Sequence, residues 1–287
     1  MSSRRRPGSK LVDVVASAFT LGPGLRRGDK SAAFAATITG ACRVTPWPYP
    51  RYIAHRGAGK LAPENTLAAM RAGHAHGYRM VEFDVKLSGD GVAFLLHDDT
   101  LDRTTSGRGR ADALSWAELS KLDAGAWHSL AFAGEALPTL AQIARWTIGN
   151  GVACNVEIKP VPGSERATGA AVAVDVRSLW RDAAVAPLLS SFSEEALAAA
   201  RDSVPELPRA MLFERIPPDW RERLDRLNCV AIDTDYRQLD ARMVAAAHDA
   251  GYKVLTYTPN DVDVIQTLEG WGVDGIITDA IDVVSPA

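Results

Sequence analysis

The sequence predicts an α/β fold of parallel strands joined by helices, on three observations. From Arg51 onward, short β-branched or aliphatic runs alternate with longer amphipathic ones, the pattern of strands linked by returning helices. The chain has 287 residues, 47% hydrophobic and 23% charged, enough for one large domain with a sizeable core. Two of the strand runs also place charged residues on alternate positions, which on a strand means one face.

Nine runs read as strands: Tyr52–His55, Val81–Val85, Ala93–His97, Ala153–Lys159, Leu188–Phe192, Ala210–Phe213, Val230–Thr234, Val254–Tyr257 and Gly275–Thr278. Helical periodicity falls on Thr66–His76, Ser115–Leu122, Thr139–Ile148, Arg166–Trp180, Glu194–Asp202, Asp219–Leu227, Asp240–Ala250 and Val262–Trp271. An eight-stranded TIM barrel has eight places, so one of the nine runs must be peripheral if the sheet closes. The stretch from Asp98 to Pro138 is too long for one strand-to-helix connection, which predicts a small insertion over the barrel mouth.

Composition excludes several classes. With 32 basic and 35 acidic side chains the net charge is −3, so no overall positive field would hold a nucleic acid. No uncharged run approaches the roughly 18–20 residues of a membrane-spanning helix. Cys42, Cys154 and Cys229 are too scattered for a disulfide framework or a thiolate zinc site, which favours a reducing, cytoplasmic compartment. Residues 1–50 hold eight basic and two acidic side chains, are broken by Pro7 and Gly22-Pro23-Gly24, and show no sustained period. A basic, disordered extension over 1–44 is expected, ahead of a single domain over 45–287. A signal peptide is the rival reading, disfavoured because Asp13 interrupts the apolar core.

The chemistry lies at strand ends. In Val81-Glu82-Phe83-Asp84-Val85 the two carboxylates share a face, and in Val156-Glu157-Ile158-Lys159 so do Glu157 and Lys159. Charge aimed into a barrel is costly unless paired or bound to a cation. Glu82, Asp84 and Glu157 together would form an all-oxygen site for a hard divalent cation, Mg²⁺ or Ca²⁺. His55 and His97 close two other runs and can supply a base and an acid, while Arg56 and Lys159 can neutralise a phosphoryl group. The inventory suits phosphodiester cleavage. Taken singly, each residue has a plainer role: a strand-end histidine is more often structural, and a Glu-x-Asp pair is often a salt-bridge partner. Their coincidence carries the reading. His74, His76, His128 and His248 have no such context, and Trp116, Trp127, Trp146, Trp180, Trp220 and Trp271 are expected to pack helices or the insertion.

Ile53-Ala-His-Arg-Gly, Pro63-Glu-Asn-Thr, Val81-Glu-Phe-Asp-Val, Leu96-His-Asp-Asp-Thr-Leu-Asp-Arg-Thr-Thr, Leu122-Asp-Ala-Gly, Val156-Glu-Ile-Lys and Gly275-Ile-Ile-Thr-Asp resemble, in order and spacing, the motifs of the glycerophosphodiester phosphodiesterases. Trp47-Pro-Tyr-Pro-Arg, Leu188-Leu-Ser-Ser-Phe and Ala280-Ile-Asp-Val-Val are similar to the cytoplasmic bacterial UgpQ type of that family. The resemblance implies a TIM barrel with a small insertion after the third strand. It also implies cation-dependent hydrolysis of deacylated phospholipids to sn-glycerol 3-phosphate and an alcohol. Carried over position by position, His55 and His97 match the catalytic pair, His55 as base and His97 as acid. Glu82, Asp84 and Glu157 match the metal ligands, and Arg56 and Lys159 the phosphate contacts. Tyr257 is a candidate substrate contact in Tyr257-Thr-Pro-Asn260, where Pro259 departs from the usual pattern by fixing φ and removing a donor. The first 43 or so residues have no counterpart in that type, which makes Val44 a candidate alternative start, or else the segment a dispensable tail.

Two rival functions remain at this point. A lysophospholipase D-like enzyme acting on acylated substrates would need an apolar mouth, and Gly107-Arg-Gly-Arg-Ala-Asp shows no amphipathic membrane-binding helix. A non-catalytic barrel that binds phosphodiesters would have lost a histidine or a ligand, and none is lost.

Overall fold

The computed structural model describes residues 47–286. In chain order the first elements are β1 (Tyr52–Ala54), α1 (Leu67–Ala75), β2 (Met80–Leu87), β3 (Ala93–Leu95), α2 (Trp116–Leu119), α3 (Leu140–Asn150) and β4 (Ala153–Ile158). Then follow α4 (Glu165–Leu179), β5 (Leu188–Ser191), α5 (Glu194–Ser203), β6 (Arg209–Phe213), α6 (Trp220–Leu227), β7 (Ala231–Asp235), α7 (Ala241–Asp249), β8 (Lys253–Tyr257), α8 (Val262–Gly270) and β9 (Gly275–Thr278). Eight strands run parallel in the order β1-β9-β8-β7-β6-β5-β4-β2, and β1 pairs with β2 to close a TIM barrel. The basic extension expected over 1–44 falls outside the described residues.

All nine expected runs are strands, and the peripheral one is β3. It pairs antiparallel with β2, Val85 opposite Leu95 and Leu87 opposite Ala93. The reason is the link: residues 88–92 are too few for a parallel crossover, and they close a hairpin in which Ser88 N donates to Val92 O at 3.0 Å. Residues 98–138 form the expected insertion, with its own small core of Leu101, Ala111, Leu119, Ala124 and Leu137. The helix expected over Ser115–Leu122 shrinks there to the single turn of α2.

Strand alternation sorts the core into two shells. Val81, Phe83, Val85, Val156 and Ile158 point outward and pack beneath Met70, Ile143, Val172 and Val176 of the surrounding helices. Inside the barrel, Ile53, Met80, Leu188, Ala210, Ala231, Leu255 and Ile277 form an apolar layer, with Tyr49 closing it from below. Two residues further along β2 and β4, the inward positions become Glu82 and Asn155, and the lumen turns polar. Helix starts are fixed by side-chain caps: Thr66, Thr139, Ser193, Asp240 and Asp261 each accept a first-turn N–H.

Helix α1 lies against the turn that carries His55 and Arg56, and Gly73 permits the contact. A Cβ there would sit 2.0 Å from Gly57 O. Gly73→Ala is therefore expected to cost about 1–3 kcal/mol through overpacking, read as a fall in the thermal midpoint of several degrees. An unchanged midpoint would show that the helix can slide without loss.

Candidate active site

Two strands running toward each other along one edge of β2 bring the histidines together. The other edge of β2 is occupied by β4 from Met80 to Val85. On the free edge, β1 runs upward and ends with Ala54 opposite Val81, while β3 runs downward and reaches Leu95 opposite Val85. The residues that follow them, His55 and His97, line one cavity of about 190 Å³. His97 thus reaches the site from a descending hairpin, not from the upper end of a barrel strand as its sequence context implied.

Each imidazole is held by a carboxylate at Nδ1, which leaves Nε2 for a reactant. His55 Nδ1 lies 2.6 Å from Asp279 Oδ1, and its Nε2 is 3.9 Å from Glu82 Oε2. His97 Nδ1 lies 2.8 Å from Asp98 Oδ1. Asp279 is fastened in turn by Asn260, whose Oδ1 accepts from Asp279 N at 2.8 Å and whose Nδ2 donates to Asp279 Oδ2 at 3.2 Å. The turn after Pro259 therefore serves the histidine. Burial opposes ionisation of Asp279, but the hydrogen bond and charge of His55, with the Asn260 hydrogen bond and the Arg56 charge, together outweigh it and lower the pKa. Burial pulls the His97 pKa down despite the nearby Asp84 charge.

Glu82, Asp84 and Glu157 are all buried, with an oxygen from each within 4.8 Å of the others. Asp84 is the best compensated: Asn65 Nδ2 donates to it at 2.8 Å, Arg56 Nε lies at 3.6 Å and Lys159 Nζ at 3.8 Å. Burial alone would raise its pKa, and Lys159 and Arg56 reverse that. Glu82 receives Arg56 N–H on Oε2 at 2.9 Å, while its Oε1 has no partner. Burial and the Asp84 charge push its pKa well up. Lys159 Nζ is 2.7 Å from Glu157 Oε1 but out of line for a hydrogen bond, so that oxygen too lacks a well-directed donor. Burial and Asp84 push the Glu157 carboxyl up to about 7. Three close carboxylates, two with an oxygen unpartnered, are the donor set a hard divalent cation fits.

The sequence reading assigned no role to Glu64 or Arg103, and the structure gives them one. Arg103 donates to Glu64 at 2.7 and 2.8 Å and to Asp98 at 2.7 and 2.9 Å. Glu64 accepts from Arg56 Nη1 at 2.6 Å, and Asp98 holds His97. One guanidinium fork thereby fixes both the Arg56 and His97 side chains. Arg103→Ala is expected to lower kcat roughly 10- to 100-fold through misplacement of these groups, and Arg103→Lys, lacking the fork, to restore little of it. Full rescue by lysine in a steady-state assay would reduce Arg103 to a charge.

All eight sequence-predicted positions gather here. Tyr257 lines the cavity with its ring edge-on to Phe192, but its hydroxyl donates to Phe213 O at 3.0 Å, so only the ring faces a ligand. Asn155, Ser190 and Asp233 line the same cavity and had no signal beyond strand alternation. Trp127 was expected to pack helices or the insertion and His128 had no role, yet with Lys60 they wall a second hollow of about 360 Å³ beside His55. His74 and His248 stay outside the site: the first packs edge-on against Trp146, the second bonds Asp274. Cys154 and Cys229 are buried free thiols. No helix among the described residues is long and apolar enough to cross a membrane.

Comparison with known proteins agrees with this geometry. Residues 55–283 match the Glycerophosphoryl diester phosphodiesterase family. A glycerophosphodiester phosphodiesterase of Caldanaerobacter subterraneus subsp. tengcongensis is 32% identical over 232 residues, covering 79% of this chain and 93% of its own length. Among solved structures, an Oleispira antarctica phosphodiesterase in complex with the product sn-glycerol-3-phosphate superposes with a TM-score of 0.75 at 38% identity, over 80% of this chain and 93% of that one. A glycerophosphodiester phosphodiesterase from Agrobacterium tumefaciens gives a TM-score of 0.71 at 29% identity, over 83% and 100%. Closed barrel, paired histidines, buried carboxylates and matched span agree, and the chain belongs to the glycerophosphoryl diester phosphodiesterase family, as an enzyme that hydrolyses phosphoric diesters.

Proposed function

We propose that this enzyme hydrolyses glycerophosphodiesters to sn-glycerol 3-phosphate and an alcohol by His55/His97 acid-base catalysis, with Mg²⁺ or Ca²⁺ held by Glu82, Asp84 and Glu157. The observation that carries the reading is the convergence on one cavity of two imidazoles, each pinned at Nδ1 by a carboxylate, with a buried carboxylate trio. When bound, the cation supplies charge neutralisation at the phosphoryl oxygens. The product complex of the Oleispira antarctica relative supports a small-molecule glycerophosphodiester as substrate.

The chain's own groups do the rest. Arg56 and Lys159 reach the same cavity and orient the anionic diester. His55 Nε2 takes a proton from the attacking water as that water's oxygen bonds to phosphorus, with Asp279 stabilising the imidazolium. His97 Nε2 gives a proton to the departing alcohol oxygen as the old P–O bond breaks. Burial keeps free His97 neutral, and the diester's negative charge raises its affinity for the proton it must donate. The three-cysteine chain suits a cytoplasmic setting.

The test is release of glycerol 3-phosphate from glycerophosphocholine by the purified chain, with chelator and after Mg²⁺ or Ca²⁺ is restored. Metal-dependent release is expected. Absence of release from a folded sample with either ion would overturn the reading in favour of acylated substrates or a binding role.

A further inference from the structure

Where the barrel ladder runs out above the site, a buried lysine takes over. Glu82, Asp84 and Lys86 alternate onto one face of β2, so the strand that carries two carboxylates inward carries an ammonium one step higher. Pairing of β2 with β4 ends at Val85 opposite Ile158, with one last bond from Lys159 N to Val85 O at 2.9 Å. Beyond it lie Pro160 and Pro162, which have no N–H to extend the ladder. The hydrogen bond that Lys159 O accepts comes instead from Lys86 Nζ, at 3.3 Å. The same Nζ donates to Asp99 Oδ1 at 2.7 Å.

Lys86 is only 3% exposed, and an ammonium so buried is costly unless paired. The identity of its two acceptors gives the pairing a meaning. Asp99 follows directly on Asp98, the residue that holds His97 at Nδ1, and Asp99 O accepts from Ala111 N at 3.1 Å to anchor the insertion. Lys159 carries the amine assigned to the phosphoryl group. His97 and Lys159 line the catalytic cavity, and Lys86 does not. One ammonium therefore joins the turn of the proton donor to the strand end of the phosphate contact, from outside the cavity. The Arg103 fork orients the His97 side chain through Asp98, whereas Lys86 holds the backbone that carries it, and the two devices share no residue. The Asp99 carboxylate is 47% exposed, so it returns to water when the amine is removed.

We infer that Lys86 is a positioning residue for the reaction, fixing the spacing of His97 and Lys159 so that both meet the same diester. The inference rests on the roles those two residues have in the glycerophosphodiesterase reading, and a diester without glycerol separates the two.

The experiment is steady-state cleavage of bis(4-nitrophenyl) phosphate by the full chain in saturating Mg²⁺ or Ca²⁺. Lys86→Met keeps the length of the side chain and removes both bonds. It is expected to lower kcat roughly 10- to 100-fold through misplacement of His97. Its KM is expected to rise at least about threefold because Lys159 is released as well. Asp99→Asn changes a half-exposed group, keeps the Lys159 bond and weakens only the His97 arm, so kcat is expected to fall about three- to tenfold with KM unchanged. The double variant is expected to match Lys86→Met alone, because both substitutions act through one contact. Wild-type kcat and KM in Lys86→Met would overturn the inference. An equal rise of KM in Asp99→Asn, or additive losses in the double variant, would also overturn it. Loss of cation affinity in Lys86→Met, measured by calorimetry, would overturn it in favour of a role at the carboxylates. Failure of the wild type on glycerophosphocholine, with the nitrophenyl diester still cleaved in the expected pattern, would instead sink the parent reading.

Discussion

His97→Ala is expected to lower kcat for glycerophosphocholine by about 10² to 10⁴-fold, with the thermal midpoint little changed. The side chain is half-buried and bonds only Asp98, so its loss opens no core cavity. Asp98 keeps its pair with Arg103 in the variant, which limits the disturbance to the missing proton donor. The pH profile adds a test that a structural role would not move. An acid must be protonated to act, and free His97 has its pKa lowered by burial, so the alkaline limb of kcat/KM falls below the ordinary histidine range. In the substrate complex the diester anion raises that pKa, and the alkaline limb of kcat lies at higher pH. Coincident limbs would remove His97 from the acid role, and an unchanged kcat in the alanine variant would remove it from catalysis.

Chelation, or Glu82→Gln, is expected to abolish most of the turnover, and the cation's effect on stability is expected to grow with pH. Glu157 is held at about 7, above its unfolded value, so its protonated folded form is favoured. The contribution of this group to stability is full below about pH 4.3 and declines as pH rises toward 7. Asp98, Glu64 and Asp279 act in the opposite sense: their lowered pKa values give stability above about pH 4 that is lost on acidification. The metal-free chain is thus expected to be most stable near about pH 5. Mg²⁺ or Ca²⁺ needs the carboxylates deprotonated, so it raises the thermal midpoint more at pH 8 than at pH 5.5. Scanning calorimetry with and without chelator reads both. A cation effect that is independent of pH, or wild-type rates in excess chelator, would refute the carboxylate site.

The barrel was legible because parallel strands and their helices have different hydrophobic periods, and the inward carboxylates because alternation fixes their face. The fate of Ala93–Leu95 was also written locally, in the five residues 88–92 that cannot span a parallel crossover. What sequence could not supply was closure. Asp279 reaches His55 only because β9 pairs with β1, across 224 residues of chain. Glu64 and Arg103 look like ordinary surface charges until the insertion folds over α1 and brings them together. Asn155, Ser190 and Asp233 lie on three separate strands, and nothing in any one run marks it as polar lining. Trp127 and His128 belong to a loop whose path depends on Asp123, which accepts from Gly125 N at 2.7 Å and Gly134 N at 2.7 Å.

The apolar layer beneath the lumen has a kinetic meaning. With Ile53, Met80, Leu188 and Leu255 closing the barrel from below, whatever occupies the lower cavity can leave only past whatever occupies the mouth. In the proposed reaction the phosphate is the group anchored by Arg56 and Lys159, so the alcohol is expected to leave first and glycerol 3-phosphate second. Glycerol 3-phosphate should inhibit competitively against the diester, and choline only weakly and noncompetitively. An enzyme built this way answers to the accumulation of its phosphorylated product and is nearly indifferent to which headgroup it has just released.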